Sequence, residues 1–190
     1  MTSLRTTIRV PAAAAGREET YRLVRIIAFA ALAALAAQMA VRLPYTPVPV
    51  TMQTLVVVLA GIVLGPRDGF YAMCGYVGAG ALGAPVFAGL AFGPAVLLGP
   101  TGGYIVAFPA AALVAGLVFR SLGGGRAAAA AGSLTGSACI LAGGTMYLML
   151  LSGLSASGTA SLSVTPFLAA EALKAGAAAL LAGGGGDKAS

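Results

Sequence analysis

Long apolar runs alternate along this chain with short clusters of Arg, Pro and Gly, at 22–42, 51–65, 69–83, 103–121, 127–151 and 162–182. None keeps the strict alternation of a half-buried strand, so each predicts a helix. Crossing a bilayer core of about 30 Å takes about 20 helical residues, and four runs come near that length. The segments 51–65 and 69–83 span roughly 22 Å as ideal helices, so flanking loop residues would have to complete their crossing. Between 69–83 and 103–121 lies Pro85 to Gly102, uncharged and rich in Gly and Pro. Such a hydrophobic loop is expected to fold back over the helices.

Composition places these helices in lipid. The 190 residues are 59% hydrophobic and 8% charged, with a mean hydropathy of +0.96, outside the range of soluble domains. The fold class read here is an all-α integral membrane protein, with six transmembrane helices and a Gly/Pro-rich outer loop between helices 3 and 4. Its domains are a cytosolic N-terminal tail (1–21), a membrane domain (22–182) and a cytosolic C-terminal tail (183–190). The run after Arg22 and Arg25 is longer than the apolar part of a signal peptide and is read as the first span. The 28 glycines and many alanines suit close helix packing where lipid supplies no hydrophobic drive.

The net charge of +6 reports orientation, because the cations stand at helix ends without interleaved aromatic residues. With the N-terminus inside, Arg5, Arg9, Arg17, Arg22, Arg25, Arg67, Arg120, Arg126 and Lys188 are cytoplasmic and Arg42 alone is outside, which satisfies the positive-inside rule. Nucleic acid is excluded as a partner. The reading is a multi-pass protein of the cytoplasmic membrane with both termini cytosolic. Arg42 is read as an interfacial anchor close enough to the outer mouth to attract an anion.

One feature resists lipid. Glu171 and Lys174 lie three residues apart inside the apolar run from Pro166 to Leu181, on one helix face, about one turn below its outer end. Each charge at a bilayer centre costs roughly 2.5–3.5 kcal/mol, so the pair marks either a site open to the outside or a structural ion pair. Other chemistry is scarce. There is no His, and Cys74 and Cys139, read as buried free thiols, lack metal-ligand spacing, so no metal or other cofactor is expected. No G-x-x-x-x-G-K-[ST] occurs, so a partner would have to spend any ATP, and no nucleophile and base constellation suggests an enzyme.

Four blocks in order carry a family resemblance: Leu43-Pro44-Tyr45-Thr46-Pro47-Val48-Pro49-Val50-Thr51-Met52-Gln53-Thr54, then Gly78 to Gly89, then Leu98-Gly99-Pro100-Thr101-Gly102-Gly103-Tyr104, and Pro166-Phe167 with Glu171 and Lys174. Through them the chain resembles the BioY family, the biotin-specific substrate-binding (S) components of energy-coupling-factor (ECF) transporters. The resemblance implies six helices, capture of biotin from outside, and release inward on coupling to a transmembrane scaffold (T) subunit and ATPase subunits. It assigns biotin contacts to the acid and lysine of a D-x-x-K pattern, here Glu171 and Lys174, with Glu in place of the usual Asp.

Phe87, Phe92 and Tyr104 are the aromatic wall candidates. Gly89, Thr101 and Gly102 allow close backbone approach and hydrogen bonding, and Gln53 is a further ligand candidate that, with Thr54, could instead cap the second helix. The resemblance also implies docking of the scaffold subunit on an A-x-x-x-A face of the first helix, here Ala30, Ala33, Ala34 and Ala37, although the same alanines could pack internally. Gly61/Gly65 and Gly132/Gly136 are read as internal packing points. The alternatives are an S component for another vitamin and a stand-alone proton-coupled carrier using Glu171.

Overall fold

The structure, a computed structural model, describes residues 12–44 and 46–183. The expected positions Arg5, Arg9, Tyr45 and Lys188 lie outside the described residues. The helices are α1 (Ala12–Gln38), α2 (Gln53–Leu64), α3 (Pro66–Ala81), the one-turn α4 (Pro94–Leu97), α5 (Gly102–Ser121), α6 (Gly125–Ser152), α7 (Ala156–Ser163) and α8 (Leu168–Gly183). Five predicted runs map onto α1, α2, α3, α5 and α6, with α1 starting ten residues before its predicted start.

The sixth run is broken. α7 and α8 bend by 49° around the turn 164–167, where Pro166 has no amide hydrogen to donate and its ring disfavours a helical conformation at the preceding residue. The break puts Glu171 in the first turn of α8 rather than deep in a continuous span.

The fold is not wholly helical either. β1 (Ala40–Val41) pairs antiparallel with β2 (Val50–Thr51), and this small ribbon pinches the Pro-rich loop 42–49 at its base. Thr46 ties that loop across the bundle by donating to the Leu162 carbonyl of α7 at 2.7 Å.

By length and composition α1, α5 and α6 can each cross a membrane, and the bent α7–α8 pair supplies a fourth crossing. The 12 residues of α2 and 16 of α3 give roughly 18 and 24 Å of helix. They are joined by Gly65 alone, whose φ of 91° an L side chain rarely adopts and over which the Arg120 guanidinium packs. Large apolar side chains such as Ile27, Leu35, Leu150, Leu173 and Leu180 point outward, as a bilayer requires and water forbids.

Inside, glycines bring backbones together. A β-carbon on Gly61 would overlap the Ala112 carbonyl, one on Gly116 the Gly61 carbonyl, and one on Gly132 the Ala115 carbonyl. Gly61 and Gly132 thus act as internal packing points, whereas Gly65 serves the α2–α3 turn. Both cysteines are free, but Cys74 is exposed and Cys139 only half-buried, contrary to the expectation of buried thiols. Arg22, Arg25 and Arg120 gather at the α2–α3 joint, on Asp68, the Val63 carbonyl and Gly65 respectively.

Candidate functional site

A cavity of about 570 Å³ opens among α1, α2, α5, α6, α8 and the two loops, within the roughly 300–1,000 Å³ typical of small-ligand sites. Its floor is polar. Lys174 Nζ donates to Glu171 Oε1 at 2.7 Å and to Thr54 Oγ1 at 2.6 Å. Glu171 also accepts from Thr54 Oγ1 at 2.9 Å and, through Oε2, from Ser137 Oγ at 2.6 Å. Three helices contribute: α2 brings Thr54, α6 brings Ser137 and α8 brings the pair. Both charged side chains are only 7% exposed, which is tolerable because partners replace the lost water. A carboxylate in the first turn of α8 also faces the positive end of the helix dipole.

The walls are apolar. Phe87 stands edge-on to Tyr76, ring centroids 5.6 Å apart, and Tyr104 lies 6.2 Å from Phe167. The Phe87 ring occupies the space a side chain at Gly80 would need, so α3 holds it in place. Tyr76 Oη donates to the Val86 carbonyl and accepts from Gln53 Nε2, and Tyr104 Oη donates to the Ser163 carbonyl of α7. Phe108, Ile105 and Ile140 also line the walls.

Over the mouth, the turn Ala88–Leu90 is clasped by Gln38 at the end of α1. Its amide donates to the Phe87 carbonyl and accepts from the Leu90 amide, each at 3.1 Å. Gly89 has φ 72° and Leu90 φ 58°, so the turn is left-handed at a residue other than glycine.

Of the residues predicted to form the site, Glu171, Lys174, Phe87, Gly89, Thr101, Tyr104 and Gln53 line the cavity. Phe92 and Gly102 do not. Phe92 is 59% exposed, because the 87–91 turn directs the chain outward after Ala91. Gly102 is buried against α4, where a β-carbon would overlap the Leu97 carbonyl, so its role is to seat α4 on α5. Gln53 and Thr54 do not cap α2, whose N-terminus has no side-chain cap; their polar groups go to Tyr76 and Glu171.

The alanine stripe of α1 packs largely against the chain itself. Ala33 and Ala37 are fully buried in the chain's own core and Ala30 and Ala34 are half-buried against it, so the first two present no free surface. Sequence reasoning missed Ser137, Phe108 and Ile140. Ser137 carried no signal, being one small hydroxyl in a helix of Gly, Ala and Ser that becomes informative only 34 residues later, beside Glu171.

Residues 6–186 match the BioY family. The chain belongs to that family. Among BioY relatives, the probable biotin transporter BioY of Pyrococcus horikoshii is 44% identical over 136 residues, covering 72% of this chain and 79% of that one. The biotin transporter BioY2 of Lactococcus lactis subsp. cremoris is 35% identical over 133 residues, covering 70% and 73%. The backbone superposes on the crystal structure of the S-component for biotin from an ECF-type ABC transporter with a TM-score of 0.81, covering 87% of this chain and 90% of that chain. At 20% identity that likeness speaks for the fold. A BioY chain with these apolar helices is a multi-pass membrane transporter protein and not an enzyme.

Proposed function

We propose that this protein is the S component of an ECF-type transporter and captures biotin from the outer side of the cytoplasmic membrane. The observation that carries the reading is the Thr54–Glu171–Lys174–Ser137 network at the floor of an apolar cavity. Biotin joins a ureido group, with two N–H donors and one carbonyl acceptor, to an apolar thioether body. Lys174 makes two hydrogen bonds to protein and has a third N–H to offer a carbonyl, while the remaining lone pairs of Glu171 can take ureido N–H groups. Phe87, Tyr104, Phe108 and Phe167 suit the thioether body.

In this reading α2 and α3 complete six crossings with the help of their flanking loops, both termini are cytosolic, and 22–182 forms the membrane domain between tails 1–21 and 183–190. Transport then requires a transmembrane scaffold subunit and ATPase subunits, and the docking face on α1 centres on Ala30 and Ala34, with Ala33 and Ala37 serving internal packing.

Calorimetric titration of the detergent-purified protein tests the assignment, with riboflavin and thiamine as controls. Stoichiometric, tight binding of biotin without ATP is expected. Absence of biotin binding at sub-micromolar protein would refute the ligand while leaving the family and fold intact.

A further inference from the structure

The cavity has two electrostatic poles. At the floor the charges of Glu171 and Lys174 cancel, and hydroxyls occupy much of what remains. At the rim stands Arg42, which lines the same cavity, is exposed, and forms no salt bridge among the described residues. Its Nη2 lies beside Gly89, 3.4 Å from where a β-carbon would sit, which is van der Waals contact and places the guanidinium against the loop that roofs the cavity. The neighbouring Gln38 amide is already engaged with Phe87 and Leu90. Glu171 is the cavity's one carboxylate among the described residues, and it is paired with Lys174. Arg42 is therefore the uncompensated charge of the lining, and it is positive.

A ligand with a neutral hydrogen-bonding head and an anionic tail can satisfy both poles in only one direction. Its head would meet the neutral floor, and its carboxylate would meet the planar fork of a guanidinium, which matches two oxygens at once. The reverse orientation would put the carboxylate against a Lys174 whose charge Glu171 already neutralises and would leave Arg42 without a counter-charge.

We propose that Arg42 binds the carboxylate of the substrate at the cavity rim and sets the preference for an acid over its neutral analogues, with the ligand lying head-down. The inference rests on the biotin reading above and adds to it the direction of the ligand and the residue that selects its tail.

The test is calorimetric titration of the full chain and of Arg42→Gln and Arg42→Lys with two ligands: biotin, and biotinamide, in which a neutral carboxamide replaces the acid. The native protein is expected to prefer biotin by roughly fivefold to tenfold. That preference should shrink as salt rises from about 0.05 to about 0.5 M, because a rim charge is screened. Arg42→Gln should bind both ligands about equally, because biotin loses more affinity than biotinamide, and Arg42→Lys should keep most of the preference. A native protein that binds both ligands equally would overturn the proposal and leave biotin capture standing. So would an Arg42→Gln variant that keeps the preference or weakens both ligands alike, since the residue would then act only on the loop. A native protein that binds neither ligand overturns the biotin reading and this inference with it.

Discussion

Two ion pairs of this protein are made of similar charges and live in opposite circumstances. Arg22 and Asp68 approach to 2.6 Å with side chains 51% and 22% exposed, whereas Glu171 and Lys174 approach to 2.7 Å with both 7% exposed. The first pair links α1 to α3 and competes with water for each bond, so its net value is small. The second joins neighbours on one helix and contributes no tertiary link by its own Coulomb attraction. Its reach across the bundle comes from Thr54 and Ser137, which replace the water both charges gave up. An exposed pair can be a staple and nothing more. A buried pair must be built into a network, and at a cavity floor that network is also a surface for a ligand.

The contrast breaks most visibly if the buried pair proves dispensable. Lys174→Ala leaves the Glu171 carboxylate buried without its counter-charge, a loss worth about 3–5 kcal/mol. Biotin affinity by calorimetry is expected to fall by more than about 100-fold, while Arg22→Ala leaves it unchanged. Equal affinities in the two variants would end the distinction.

A smaller effect sharpens the role of the hydroxyls. Ser137→Ala or Thr54→Val each removes one partner of a buried charge, which costs about 1–3 kcal/mol, so affinity should drop by about tenfold. The double variant is expected to depart from the sum of the singles, because both side chains serve one carboxylate. Strict additivity in the same titrations would mean that the floor is not a network.

The smallest effect belongs to the exposed pair. Hydrogen bonds from Arg22 hold the Asp68 carboxyl below its usual value of 3.8. A group whose folded pKa is lowered stabilises above its unfolded pKa, and that stability is lost as pH falls through the folded value. The native protein should therefore melt only slightly above Asp68→Asn at neutral pH, and the gap should close in acid below about pH 4. Scanning calorimetry that found a neutral-pH gap larger than that caused by Lys174→Ala would reverse the ranking of the pairs.

Periodicity and solvent preference are local properties, so the membrane class, the approximate places of α1, α2, α3, α5 and α6, and Glu171 and Lys174 as the residues to watch were legible along the chain. Charges inside an apolar run are costly wherever they end up, and that cost can be read without knowing the neighbours. The short ordered blocks around Pro44–Thr54, Gly78–Gly89 and Leu98–Tyr104 pointed to the family for the same reason: tight turns and close approaches demand particular residues in place.

What those residues meet came from the packing of the bundle. Ser137 enters the site because α6 and α8 pack side by side, Phe92 leaves it because one left-handed turn redirects the chain, and Ala33 and Ala37 turn inward because α1 settles on the core through that face. Pro166 was visible in the sequence, yet whether it would cap, kink or break the last helix depended on what could hold the two halves at an angle. Here Tyr104, Thr145 and Thr46 bind α7 through Ser163 and Leu162. Contacts between residues tens of positions apart arise from the balance of packing across the whole bundle, and no window along the chain contains that balance.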